Sequence, residues 1–426
     1  MKYIALVLGL ALASTQQVAG LTPPSDASSY TACSEVRVRK ELRSLSSTEW
    51  SAYESAVNQS QKDKWVDWFG YLHTKVAITA HGNSNFFPFH RKFTWDYENM
   101  LRKYDSSVVL PYWNEPIDYQ NPSTSTILGS KYLGGNGDSS TNCVTNGIGA
   151  NWQLVYPNDH CFQRVFTGNG DIPAWYSPEY ITSVIQSSTT YAELRAGIEN
   201  SIHGIIHLSM GGDMNTMYSP MDPVFWLHHA NCDRYWAQWQ AIDPDDRTYM
   251  YDGTDINGNS VSLDDNILMS EVPVVSVMRL GYGDMCYTYD TIQDANGNTN
   301  SSELTKRQKC AKKVNAQTQA VKALPADVLA KYYPSFAKGS NNVLESEMPS
   351  IFPGQPMAAD EEASRSYVRP EPNEKLRGKM PTFSTQTDEW ISMMGYNATE
   401  IRELEDNAAE FVKTLNAAGY LSPYAV

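Results

Sequence analysis

Asp222-Pro223-Val224-Phe225-Trp226-Leu227-His228-His229-Ala230-Asn231-Cys232-Asp233-Arg234 is the stretch whose reading settles the fold. Asp222 offers a side-chain oxygen to the free amides of a helix start, and Pro223 has the fixed φ that suits a first turn. The pattern predicts a helix over 223–242. Consecutive residues on a helix point about 100° apart, so His228 and His229 do not readily face one point. Asp233, four residues after His229, shares its face and could orient a ligand or a neighbouring arginine.

A second stretch repeats the design. Phe86-Phe87-Pro88-Phe89-His90-Arg91 also opens a helix with a proline in its first turn, and Phe86 precedes His90 as Phe225 precedes His229. Upstream, His73 and His81 precede His90, the last gap being a Gly/Asn/Ser loop. In the other half, His203-Gly204-Ile205-Ile206-His207 places two imidazoles on one helical face. Of the 8 histidines only His160 stands apart, and it reads as structural.

One such histidine pair on a helix is ordinarily a surface or core feature. A zinc protease would also carry Glu where Gly204 stands. Two sets of three on paired helices point instead to a pair of metal ions. All-nitrogen ligation suits copper, although imidazole also serves zinc, nickel and iron.

The rest of the chain sets the context. Its 426 residues allow one large domain with an appendage, or two to three ordinary domains. A net charge of −15 argues against nucleic acid or an anionic membrane as main partner. Hydrophobic residues at 41% with 12% aromatics predict a real core. Met1-Lys2, the apolar run Ile4 to Ala13 and the small residues Val18-Ala19-Gly20 read as a secretory signal over residues 1–20. No later run is long and apolar enough to span a bilayer. The 6 cysteines then suggest disulfides, with Cys143–Cys161 the first expectation. Asn58, Asn300 and Asn397 head glycosylation sequons.

Helical periodicity covers 36–104, returns at 191–208 and 223–242, and reappears at 303–333 and 384–418. Residues 105–175 and 334–383 read as irregular, and β-like stretches fall near 274–277 and 282–289.

His81, Phe86 through Thr94 and Glu98 resemble the copper-A signature of tyrosinases. Asp222 through His229 with Asp233 resembles the copper-B signature shared with haemocyanins. The resemblance covers about residues 33–290 and looks nearest to secreted fungal tyrosinases and catechol oxidases. Tyr282-Gly283 through Tyr289 resembles the tyrosine-rich end of that family's core. It implies a mainly α fold: a four-helix bundle housing a dicopper centre, with long loops, few short strands and a C-terminal extension. It implies two copper ions, one on His73, His81 and His90, the other on His203, His207 and His229, with His228 behind them. The implied organisation is a signal peptide, a catalytic domain over 21–290, and a linker plus extension over 291–426.

The implied chemistry is copper-dependent oxidation of a small phenol by O2, in pigment or phenolic secondary metabolism outside the cell. Glu199 resembles the family's water-holding glutamate. Gly204 stands where true tyrosinases often have Asn, which favours o-diphenol oxidation over monophenol hydroxylation. Thr79 occupies the place of a cysteine that some members tether to a histidine, so no thioether is expected. Phe86 and Phe225 could face a phenolic ring or simply pack, and Leu208 and Met217 are candidates for the substrate entrance. The rivals are a tyrosinase acting on monophenols, an o-aminophenol oxidase, a haemocyanin-like O2 carrier, and a silent or zinc-bound protein. Residues 291–426 are a candidate shield over the site. Lys306-Arg307 is a possible processing point, Cys310 a tether, and Trp390, Ile391, Met394, Tyr396 and Ile401 an apolar face.

Overall fold

The computed structural model describes residues 30–290, 321–338 and 378–422. The signal sequence, the polar linker, the dibasic pair, Cys310 and the Asn300 sequon lie outside these residues.

The chain enters through strand β1 (Arg37–Arg39) and then turns helical. Helix α1 (Ser47–Lys62) starts on a reciprocal cap, with Ser46 and Glu49 each satisfying the other's amide. Lys64 adopts a left-handed conformation, and α2 (Trp65–Ala80) follows directly. Helix α3 (Phe86–Leu101) places Pro88 in its first turn, as the sequence predicts. Residues 102–177 are loops with short 3-10 turns and one hairpin, β2 (Gln153–Leu154) with β3 (His160–Cys161). That hairpin is closed by the expected Cys143–Cys161 disulfide.

Helix α4 (Pro178–Ser187) was not predicted, because Ile181, Thr182, Val184 and Ile185 give it a strand-like composition. Its start was legible: Ser177 accepts the Tyr180 amide and Pro178 opens the first turn. Next come α5 (Tyr191–Gly197), a widened π-helical turn (Ile198–His203) and α6 (Gly204–Met210). Helix α7 (Pro223–Ile242) is capped by Asp222, whose carboxylate accepts the Val224 amide, and α8 (Pro244–Arg247) is a single turn. Strand β4 (Tyr287–Tyr289) pairs in parallel with β1. The strand expected at 274–277 is instead a 3-10 turn. Pro273 precedes it, and the Val274 and Val275 amides reach loop carbonyls at Asp265 and Leu263 rather than a strand.

Helices α2, α3, α5–α6 and α7 form the predicted bundle. Trp226 of α7 stacks on Tyr97 of α3, ring centroids 3.7 Å apart, and Phe69 of α2 closes on Trp226 edge-on at 5.1 Å. Fully buried Arg91 of α3 donates to Asp233 of α7 at 2.5 Å. Asp233 also accepts the hydroxyls of Tyr287 and Tyr289, both at 2.6 Å. The predicted role of Asp233 toward a neighbouring arginine is therefore realised. Cys33–Cys286 joins the two ends of this body.

The described part of the extension carries α9 (Ala326–Tyr332), α10 (Pro334–Ala337), α11 (Asp388–Met394) and α12 (Ala398–Ala417), with an irregular segment over 378–387 that bridges to Ser422. Phe411 of α12 is fully buried, packing on Tyr180 of α4 and on Tyr332. Among the described residues no helix is long and apolar enough to cross a membrane.

Candidate metal centre

The bundle brings both histidine sets to its centre. The ligand atoms of His73, His81 and His90 lie within 4.8 Å of one another, and so do those of His203, His207, His228 and His229. The two sets face each other. His90 stacks on His229 with centroids 4.1 Å apart, and His81 stacks on His203 at 5.7 Å. None of the seven rings exceeds 3% exposure.

Hydrogen bonds decide which nitrogen is free. His73 Nδ1 lies 2.7 Å from the Met217 carbonyl, His81 Nδ1 2.8 Å from Ala77, and His90 Nδ1 2.8 Å from Phe86. His203 Nδ1 lies 3.2 Å from the Glu199 carbonyl and His207 Nδ1 2.8 Å from Met214. A carbonyl only accepts, so these Nδ1 atoms carry the proton and Nε2 keeps its lone pair for a metal. Only His229 lacks such a partner at Nδ1. Burial lowers the imidazole pKa values, to about 4 at His73 and about 3 at His81, and well down at the other four. The rings are thus neutral, the form that binds metal.

The donor set fits copper. It consists of soft-to-intermediate nitrogen donors with no carboxylate or thiolate among the six. His203 Nε2 is buried with no hydrogen-bond partner, an orphan that a bound cation would satisfy. Phe225 packs on His229 at 4.1 Å and on His73 at 5.2 Å. Phe86 packs on His90 at 4.8 Å and on His203 at 4.9 Å. Both phenylalanines are fully buried walls of the metal chamber.

His228 comes nearer than helical geometry predicted. Its ring stacks on His203 at 5.3 Å because its Nδ1 donates to the buried Glu115 carboxylate at 2.5 Å. Asn231 donates to the other oxygen of Glu115. Burial raises the Cys232 thiol well above its usual pKa, so Cys232 stays protonated beside His228 Nε2, 3.8 Å away. Among the described residues Cys232 is the free cysteine. The Glu115 contact was missed because nothing local links residues that far apart in the chain.

Glu199 sits in the widened turn, fully buried, and its carboxylate is already engaged. It accepts the Gly82 amide at 2.6 Å, Arg195 at 3.1 Å and the Tyr396 hydroxyl at 3.4 Å. Desolvation dominates these contacts and pushes its pKa up to about 7. Gly204 faces the extension. A Cβ there would come 2.7 Å from Gln386 Oε1 and 3.2 Å from Trp390 Nε1. Trp390 also stacks over His207 at 5.8 Å, and Gln386 donates to the Asn200 carbonyl at 2.5 Å. Leu208 is buried, and the carbonyl of Met217 holds His73. His160 lies outside the centre, 3.3 Å from Asp213.

Residues 44–242 match the family model described as the common central domain of tyrosinase. The chain is 30% identical over 315 residues to the tyrosinase ustQ of Aspergillus flavus, covering 66% of this chain and 87% of that protein. It is 29% identical over 294 residues to the tyrosinase-like protein phomQ2 of Diaporthe leptostromiformis, covering 61% and 75%. Among solved structures it is similar to a polyphenol oxidase from Thermothelomyces thermophila, with 24% identity, a TM-score of 0.48, and coverage of 60% and 88%. The chain belongs to the tyrosinase family of type-3 copper proteins. That makes it an oxidoreductase acting on phenols with O2, from a family that binds a dicopper centre.

Proposed function

We propose that this chain is a secreted phenol oxidase that converts o-diphenols to o-quinones while O2 is reduced to water. In this reading one copper is held by His73, His81 and His90, and the other by His203, His207 and His229. The observation that carries it is the face-to-face approach of the two trios, His90 on His229 at 4.1 Å. Bound copper would supply the electron exchange between a catechol and dioxygen.

The chain's own residues do the rest. Backbone carbonyls fix five imidazoles in one tautomer, and Phe86 and Phe225 keep water from the chamber. Glu199 is the candidate proton holder beside it. Gly204 adds no polar group that could help Glu199 position a water, which favours diphenols. The apolar leader sequence and two disulfides support secretion.

The extension acts as the cover in this reading. Trp390 lies over His207, and Tyr396 reaches Glu199. Copper-loaded protein, intact and cut after Asp290, should be given a catechol and separately tyrosine. Quinone absorbance from the catechol, stronger after the cut, is expected. Rapid tyrosine oxidation without a lag would overturn the diphenol preference, and no quinone even after the cut would overturn the oxidase reading.

A further inference from the structure

Of the five imidazoles held by backbone carbonyls, two are held differently from the other three. His81, His90 and His203 donate to carbonyls four residues back in their own segments. His207 and His73 instead depend on the loop between α6 and α7, through the carbonyls of Met214 and Met217. His207 belongs to one trio and His73 to the other, so one short loop aims a ring at each metal position.

That loop is fastened from outside the bundle. Gly211 and Gly212 have φ of 57° and 56°, and a Cβ at either would collide with the carbonyl of Val165 or Gln163. Asp213 and Gln163 exchange two hydrogen bonds. The Asp213 amide donates to the Gln163 carbonyl, and the Gln163 amide donates to Asp213 Oδ2, both at 3.0 Å. Asp213 Oδ1 lies 3.3 Å from His160 Nε2, an electrostatic contact without hydrogen-bond alignment. Thr216 donates to the Asp213 carbonyl at 2.8 Å, within the loop whose Met214 and Met217 carbonyls reach His207 and His73.

His160 and Gln163 flank Cys161, whose disulfide to Cys143 closes this segment. Arg164, next in line, donates to both oxygens of Asp222 at 2.7 Å, the cap of the helix that carries His229. The same disulfide-closed strip therefore braces His73, His207 and the start of α7.

We infer that the Cys143–Cys161 strip, acting through Asp213 and the 211–218 loop, positions both metal trios and governs how tightly copper is retained. Asp213 is a positioning residue and touches no metal. Loss of an outer partner of a metal-bound histidine typically weakens metal affinity about 10–100-fold.

The inference rests on the copper ligands proposed above, and wild-type protein binding two coppers per chain tests those first. Copper per chain is then read by native mass spectrometry, and affinity by competition with a chelator. Asp213→Ala and the double variant C143S/C161S are each expected to bind copper about tenfold or more weakly. C33S/C286S, which removes the other disulfide, serves as the control for general destabilisation and should retain wild-type affinity. Asp213→Asn keeps an acceptor for the Gln163 amide and should fall between Asp213→Ala and wild type. Wild-type copper affinity in C143S/C161S would overturn the inference, as would an equal loss in C33S/C286S. If Asp213→Ala does not fold, the two disulfide variants decide the matter.

Discussion

The two histidine trios are built on unequal foundations. His73 stands on α2, His81 just past its end and His90 on α3, and all three have their Nδ1 atoms tied to carbonyls. The opposite trio begins in a π-widened turn, has a fourth imidazole pressed against it by Glu115, and leaves His229 Nδ1 unpartnered. Among the described residues the extension meets this second side through Trp390 on His207 and Gln386 on the Asn200 carbonyl, and it reaches the first side at Gly82, beside His81, through Tyr396. In the proposed reading, the face under Trp390 and Gln386 is where access is set. Widened turns often mark functional sites for this reason: they release a helix from its regular register.

The largest effect should come from breaking the pairing across the centre. His229→Ala is expected to abolish quinone formation and to leave only the copper of the opposite trio, counted by native mass spectrometry. Retention of both coppers would show that His228 replaces His229.

The next effect tests what binds the two sides together. Asp233→Asn weakens the link between Arg91 on α3 and Asp233 on α7. Disturbing such a buried pair should cost about 3 kcal/mol in thermal or denaturant unfolding. An unchanged melting curve would contradict the view of Asp233 as the tie between the halves.

A smaller effect concerns the face under Trp390 and Gln386. Trp390→Ala and Gly204→Asn should both loosen the cover, raising catechol turnover of the intact chain by about tenfold as the uncovered fraction grows. Neither should alter catechol turnover by the protein already cut after Asp290, whereas Gly204→Asn, which supplies the polar group missing beside Glu199, should raise that protein's activity on tyrosine. Equal effects on catechol turnover by cut and intact protein would mean that these residues act in the chemistry and not through the cover.

The smallest effect concerns the far anchor of the extension. Glu179 is fully buried, accepts Ser422 at 2.6 Å, and has its pKa raised chiefly by desolvation. A raised folded-state pKa means that the native protein holds more protons than the unfolded chain just above the ordinary carboxylate range. Stability then falls as pH rises through that window. Glu179→Gln should remove this fall, matching wild type in acid and exceeding it at alkaline pH in a melting series. A wild-type pH slope in the variant would contradict it.

Much of this was legible in the chain, and the reasons are local. Asp222 with Pro223, and Pro88 before His90, mark helix starts within a few residues, so α7 and α3 and the histidines on them follow directly. The spacing of Cys143 and Cys161 across a Gly/Asn-rich loop was another local signal. What escaped depends on distance or on the backbone. Carbonyls of Met214 and Met217 have no side-chain signature. Glu115 meets His228 only because the loop after α3 folds back on α7. The angle argument set His228 apart from His229, whereas stacking on His203 brings it beside the other rings. Gly204 was read as a chemical gap, and in the fold it is also the flat spot against which Gln386 and Trp390 lie.

One consequence follows from the way the body is fastened at its margins. Strand β1 lies beside β4, and Cys33 and Cys286 meet with Cα atoms 5.6 Å apart across 253 positions of chain. The polypeptide from 33 to 286 is therefore a covalent hoop. In the loop-entropy treatment, closing a hoop of this size stabilises by about 5 kcal/mol. Whatever happens downstream of Asp290, by protease or by gene truncation, happens outside the hoop, so the appendage can be lost or exchanged while the ring that encloses the histidines stays shut.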